Sequence, residues 1–479
     1  MVETILIRQP SFQTCAGQIR LDQVIAGSGC CVGRKEIDPM SVSPREMLAR
    51  LVAFPTVSTS SNLDLIHFCR DWLQSHGIES SLVMSPEGDK ANLYATIGPR
   101  VEGGVVLSGH TDVVPVEGQA WSTDPWTLTE KNGRLYGRGT TDMKGFDALV
   151  LALVPAIVRA PLKRPVHIAL SYDEEIACRG APSMVQEMAK TIPTPMAVIV
   201  GEPTRHAVVT GHKASVQLRT QVTGHAVHSS RIDQGVSAVM NAARLIAWHE
   251  DVMEENRRRA APDSPFEPPY TTLHCGMMAG GSAANVVSSS AWFFSDIRAV
   301  PGESPADYMR RYEAYIHEVI EPRMRAVAPE TGIIVELIAT VPGLRPEAEG
   351  AAEGLMRRLT GDNGTHVVSY GTEAGIFQKL GWSTVVCGHR RLWTRRHCPG
   401  PSARRIHRES PVRGGGGRAA PPHRRALRLK AIKNVQAGAG PWVPFLPNLV
   451  PTEETRPLLA SGNQNTAQRR GIPEEEDRL

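Results

Sequence analysis

The 479-residue chain has no uninterrupted apolar run of the roughly 18 residues that a membrane-spanning helix needs. That excludes a protein anchored by such helices. The most apolar stretch, residues 148–158, is too short and is interrupted by Pro155. The start, MVETILIRQPSF, lacks a basic segment followed by an apolar one, so no secretory signal is expected and the cytoplasm is the expected compartment. The eight cysteines (15, 30, 31, 69, 178, 275, 387 and 398) make no CxxC pair and no framework spacing. Free thiols in a reducing compartment are therefore expected. Aromatic residues are scarce at 5%, yet the hydrophobic fraction of 41% is that of an ordinary globular protein, which excludes disorder of the whole chain.

Acidic and basic residues nearly balance, at a net +4, but they are not evenly spread. Between His389 and Lys430 stand twelve Arg, one Lys and a single acid, Glu409, a net of +12. The last stretch, 431–479, carries −1, which leaves −7 on residues 1–388. The body is mildly acidic, and the basic character belongs to one segment of the tail.

The length leaves room for two to three domains at ~150 residues each. Residues 1–39 show no period and read as an extension of uncertain order. From Met40 onward the pattern is regular. Ser43 or Ser41 can cap a helix opening at Pro44, and a second amphipathic helix spans about 63–76. Strands are predicted at 80–84, 92–98, 103–110, 166–172 and 196–202, with helices at 144–159 and near 181–188 between them. This alternation predicts an α/β domain, 40–208, with a mostly parallel sheet covered by helices on both faces. From about Val209 the style changes to period-2 strands with helices at 235–249 and 305–327. An α+β module inserted over 209–317 is expected, with a return to the first domain over 318–388. Residues 389–479 form the tail.

Four strand ends or Gly-rich turns carry the polar residues. They are His110 and Asp112 in SGHTDVVP, Asp142 in GRGTTDMKG, Glu174 and Glu175 in SYDEEIA, and Glu202 in VGEPT. Each alone is commonplace: a turn, a helix cap or a solvated strand edge. Together they place one imidazole and several carboxylates at the carboxyl edge of a parallel sheet, where open α/β sheets put their sites. That donor set suits divalent zinc or cobalt, and a carboxylate shared between two ions is the core of a two-metal hydrolase. Glu174, beside a ligand but itself free, is placed to act as general base.

SGHTDVVPVEG, WSTDPW, GRGTTDMKG, the DEE and VGEPT together closely resemble the dinuclear zinc aminoacylase and carboxypeptidase family, over roughly 40–388. GGSAANVV and SYGTEAGIFQ make the likeness strongest to its amidases that release ornithine and acetate from N2-acetylornithine, with the desuccinylases of succinyl-diaminopimelate as the alternative. The resemblance implies a homodimeric, metal-dependent hydrolase of small N-acyl amino acids, using two ions, Zn or Co. His110, Asp142 and Glu202 are implied at the first ion, and Asp142 and Glu175 at the second. Asp112 would orient His110, and the inserted module would be the dimerisation domain. His228 would reach the partner subunit's site and polarise the scissile carbonyl. Asn285 and Arg298 are implied in substrate binding, Arg298 through an α-carboxylate. Glu373 would read the substrate's distal amine.

The resemblance ends at Gly388. A Gly-Pro-Gly turn, a further histidine that closes the second ion's site, and a final helix are expected there. The chain reads HRRLWTRRHCPG instead and continues without amphipathic period. This tail reads best as an out-of-frame translation, which would impair the second ion site. His397 is then one candidate replacement ligand. An arm for nucleic acid is disfavoured, because the Arg-rich segment 389–430 has Trp393 as its only aromatic and joins an acidic body.

Overall fold

The structure, a computed structural model, describes residues 42–389 and a two-residue strand, β1 (Thr4–Ile5). The chain first runs through α1 (Pro44–Val52), α2 (Leu63–Ser75), β2 (Ser80–Met84), β3 (Ala91–Ile97) and β4 (Val105–His110). Then come β5 (Thr129–Lys131), β6 (Arg134–Tyr136), α3 (Lys144–Arg159), β7 (Val166–Ser171), α4 (Ala181–Thr191), β8 (Ala197–Val200) and β9 (Val209–His212). A second set follows: β10 (Ala214–Thr223), α5 (Ala238–Arg259), β11 (Thr272–Gly280), β12 (Ser290–Ala299), α6 (Pro305–Tyr315), α7 (Glu321–Arg325) and β13 (Gly332–Val341). The described part closes with α8 (Ala351–Thr360), β14 (His366–Val368), α9 (Ala374–Lys379) and β15 (Thr384–Val386).

The start of α1 shows how locally these elements are specified. Ser43 Oγ accepts the backbone N–H of Glu46 at 3.2 Å, while the Glu46 carboxylate accepts the Ser43 N–H at 2.8 Å. This reciprocal capping, with Pro44 in the first turn, starts the helix where the sequence predicts it.

An eight-stranded sheet carries the first domain, in the order β14-β9-β15-β8-β4-β7-β3-β2. Its centre, β15-β8-β4-β7, is parallel, and β3 and β2 add antiparallel strands at one side. Alternation along each strand supplies both faces with apolar side chains. Leu93, Ile168 and Leu170 pack under α1, α2 and α3, and Ile199 under α8. Tyr94, Val106, Ala169 and Val200 face the other way, against α4 and α9. The expected architecture is therefore observed: an α/β domain with helices on both faces.

The inserted module is a four-stranded antiparallel sheet, β11-β12-β10-β13, with α5 and α6 packed on one face through Leu245, Phe293, Tyr308 and Tyr312. Its bounds differ from the expected 209–317. β9 belongs to the large sheet, whereas β13, expected in the first domain, pairs along its length with β10 from Ser215↔Val341 to Thr223↔Gly332. The module thus spans 214–341, and its first and last strands lie side by side. Periodicity alone does not reveal this, because GIIVELIATV suits either sheet until its pairing partner is known. Among the described residues no helix is long and apolar enough to cross a membrane.

Candidate metal centre

His110 ends β4, Glu174 and Glu175 follow β7, and Glu202 follows β8, so three adjacent parallel strands deliver their polar residues to one edge. Asp142 comes from the turn that leads into α3. Around His110 Nε2 lie Asp142 Oδ1 at 3.2 Å, Glu202 Oε1 at 3.7 Å and Glu174 Oε2 at 4.0 Å. Two groups, His110–Glu174–Glu202 and His110–Asp142–Glu175, each bring donor atoms within 4.8 Å of one another.

The position of each donor has a local cause. His110 Nδ1 lies 2.9 Å from the backbone carbonyl of Asp112, which can only accept. Nδ1 must therefore carry a hydrogen, which makes Nε2, facing the carboxylates, the nitrogen free to hold either a proton or a cation. The Asp112 carboxylate accepts Ser58 Oγ–H at 2.6 Å and the backbone N–H groups of Glu174 at 3.0 Å and Glu175 at 3.3 Å. One buried carboxylate thus binds the His110 turn to the Glu174–Glu175 turn. Asp173, just before it, takes a left-handed backbone (φ 57°) and is held by Lys90 Nζ at 2.7 Å.

The charges of the cluster oppose one another. Burial, opposed in part by His110 and reinforced by Asp142, pushes Glu174 up to about 8. Burial and Asp142 push Glu175 up to about 9, and Glu202 is raised as well. Burial would hold the His110 imidazolium down, but Asp112, Asp142 and Glu174 outweigh it and the net shift is upward. Burial would raise Asp112, but its bonds from His110, Ser58 and Glu174 N–H lower it. Crowded, buried carboxylates around one bare imidazole nitrogen are the donor set that a divalent cation neutralises. The residues fit such an ion.

The cluster opens into a cleft of about 390 Å³. Asp142, Glu174, Glu175 and Glu202 form one wall, and Ser215, Gln217 and Arg298 from the inserted module form another, with Tyr370, Gly371 and Thr372 alongside. Arg298 is steadied by Asp296, whose Oδ2 accepts its Nε–H at 2.8 Å. His228 and Asn285 lie elsewhere. They are exposed and adjacent on the inserted module, where the Asn285 carbonyl accepts the Ser229 N–H at 2.9 Å.

Glu373 departs from its expected place. It is 1% exposed, and its carboxylate accepts Ser108 Oγ–H at 2.5 Å and Ser171 Oγ–H at 2.7 Å, from β4 and β7. Both its oxygens are engaged inside the fold, so it does not read a substrate amine in the cleft. The tail boundary shifts too. His389, expected as the first tail residue, packs with the first domain, where its carbonyl accepts the Arg205 N–H at 3.1 Å. Its ring is buried, and that burial pushes the imidazole down to about 4. Two further residues stand beside the cluster without a signal in the sequence. Cys178 donates its thiol to Glu174 Oε1 at 3.6 Å, and Asp147 is buried behind the cluster beside Gly109. The positions of His397 and Trp393 lie outside the described residues.

A buried imidazole with convergent carboxylates, at the carboxyl edge of a parallel sheet and facing a cleft, defines a metal-dependent hydrolase. Residues 106–401 match the peptidase family M20/M25/M40, and the chain belongs to that family. It is 33% identical over 350 residues to an acetylornithine deacetylase of Proteus mirabilis, covering 72% of this chain and 87% of that protein. An acetylornithine deacetylase of Pasteurella multocida is 31% identical over 353 residues, with 72% and 88% covered. In structure, the M20 family metallo-carboxypeptidase Sso-CP2 from Sulfolobus solfataricus matches with a TM-score of 0.57 at 17% identity, over 72% of this chain and 91% of that one.

Proposed function

We propose that the chain removes the acetyl group from N2-acetylornithine, giving ornithine and acetate, with two divalent ions of zinc or cobalt and as a homodimer. The observation that carries the reading is the carboxylate cluster around His110 Nε2 facing Arg298 across the cleft, in a chain whose relatives at 31–33% identity are named acetylornithine deacetylases. In this reading His110, Asp142 and Glu202 hold one ion, and Asp142 and Glu175 hold the other. Ions bound there would supply Lewis-acid polarisation of an amide carbonyl and a nucleophile from water at neutral pH.

Glu174 takes the proton of the attacking water and returns it to the leaving amine. Its raised affinity for a proton and its reach toward the cleft support that role. Asp112 fixes the His110 ring by holding its Nδ1–H. Arg298 receives the α-carboxylate of the substrate, and Asp296 holds its guanidinium in place. His228, exposed on the inserted module beside Asn285, donates to the developing oxyanion of the partner subunit's site. The test is hydrolysis of N2-acetylornithine by the full-length protein loaded with Zn2+ or Co2+, beside N-succinyl-diaminopimelate. Faster turnover of the succinyl compound would overturn the substrate, and turnover of neither would overturn the activity.

A further inference from the structure

The two donor groups at the centre share one imidazole. His110 offers a single lone pair, at Nε2, because its Nδ1–H is committed to the Asp112 carbonyl. One bare nitrogen serves one ion. With His110 assigned to the Glu202 side, the other ion would keep oxygen donors alone, Asp142 and Glu175. Oxygen-only sites suit hard cations, and an imidazole is what shifts such a site toward zinc or cobalt.

A second imidazole stands near Asp142, the carboxylate common to both ions. His389 follows β15 on a loop tied to the Glu202 turn, with His206 N–H donating to the Gly388 carbonyl at 3.0 Å and Gly388 N–H to Thr204 Oγ1 at 3.2 Å. Gly388 packs so tightly that an added Cβ would lie 2.1 Å from the Gly201 carbonyl and 2.4 Å from that of Glu202. Backbone contact therefore fixes where His389 enters. Its ring is nine-tenths buried, within the field of the Asp142 carboxylate and beside the Thr140–Thr141 backbone. Neither ring nitrogen makes a well-formed hydrogen bond. A buried imidazole whose nitrogens meet only the marginal backbone contacts of Thr140 and Thr141 is costly, and native folds rarely keep one without a use. The ring stands outside the two groups whose donors already lie within 4.8 Å, so binding requires it to turn toward Asp142.

We propose that His389 is a metal ligand of this chain, supplying the imidazole for the ion on the Asp142 and Glu175 side. The inference rests on the two-ion reading above and names a residue that the sequence reading assigned to the tail. The full-length apoprotein is titrated with Zn2+ by calorimetry, and bound metal is counted by elemental analysis. The wild-type protein should bind two ions per chain. His389→Ala and the closer-sized His389→Gln, with circular dichroism confirming their fold, should keep one site and weaken the other by about 100-fold or more. His397→Ala should leave both sites unchanged. In Co2+-loaded His389→Cys, a thiolate-to-cobalt charge-transfer band absent from the wild-type protein should appear.

Wild-type binding of two ions with unchanged affinities in folded His389→Ala and His389→Gln would overturn the proposal, as would weakening by His397→Ala instead. A wild-type protein that binds a single ion would overturn it as well. One that binds none would overturn the two-ion reading itself.

Discussion

Removing metal should make the stability of this protein fall as pH rises, in a window set by the cluster. In the metal-free fold Glu174 keeps its proton to about 8 and Glu175 to about 9, both because burial and neighbouring carboxylates disfavour their charge. In the unfolded chain the same groups ionise near 4.5. Between these limits the folded state holds protons that the unfolded state releases, so unfolding is favoured as pH increases. Each such group contributes a slope of up to about 1.4 kcal/mol per pH unit, and two together about 2.7. Glu202, Asp147 and His110 are shifted upward as well and act in the same direction. The buried His167, His212 and His389, pushed down to about 4, act in the opposite direction up to the ordinary imidazole value of 6.5, so the fall is clear of them only above about pH 7. Against a total stability of roughly 5–15 kcal/mol, a fall of about 2 kcal/mol between pH 7 and 8 is large. A bound cation replaces those protons, so the loaded protein should lack this trend. The assay is the urea midpoint at pH 7, 7.5 and 8, after chelation and with Zn2+ restored. A metal-free midpoint that is level or rises over that range would refute the electrostatic account of the cluster.

Other perturbations separate the proposed roles. Glu174→Gln should lower kcat by 10²–10⁴-fold, as expected for loss of a general base, while bound metal measured by elemental analysis stays unchanged. Arg298→Ala should raise KM for an N-acetyl amino acid by tenfold or more and leave the activity on its α-amide nearly unaltered; equal losses on both would argue against carboxylate recognition. Glu373→Ala strands the buried hydroxyls of Ser108 and Ser171 and should cost about 2–4 kcal/mol in denaturant unfolding. It should not change the preference for cationic over neutral acetyl amino acids, whereas a lost preference would restore Glu373 to the substrate.

The parts of the centre that the sequence discloses are those set by local chain geometry. His110, Glu174, Glu175 and Glu202 each follow a short apolar strand, and parallel pairing of β4, β7 and β8 brings their ends to one edge. Glu373 has a polar local sequence that suits a cleft, but its carboxylate is claimed by hydroxyls on two strands more than 200 residues away in the chain. Only the packing of α9 against the sheet reveals that. The end of the inserted module was misplaced for a related reason, since β13 is identified by its partner β10 and not by its own pattern. The β5–β6 hairpin is legible in the local sequence. It turns on Asn132 and Gly133, both left-handed at φ 55° and 67°, and Asn-Gly is a direct signal for that turn. His389 was hidden by its company, because twelve arginines follow it before residue 430.

The inserted module leaves and rejoins the first domain at a single seam, where His212 and Leu344 exchange backbone hydrogen bonds, each at 3.1 Å. Everything between them, including Ser215, Gln217 and Arg298, can in principle be exchanged as one cassette while the strand ends bearing the carboxylates stay in place. The clustered carboxylates and the Arg298 wall of the cleft are thus written on separable lengths of chain. A new preference for the acylated partner could arise by rewriting the cassette, with no change to any residue that handles the ion.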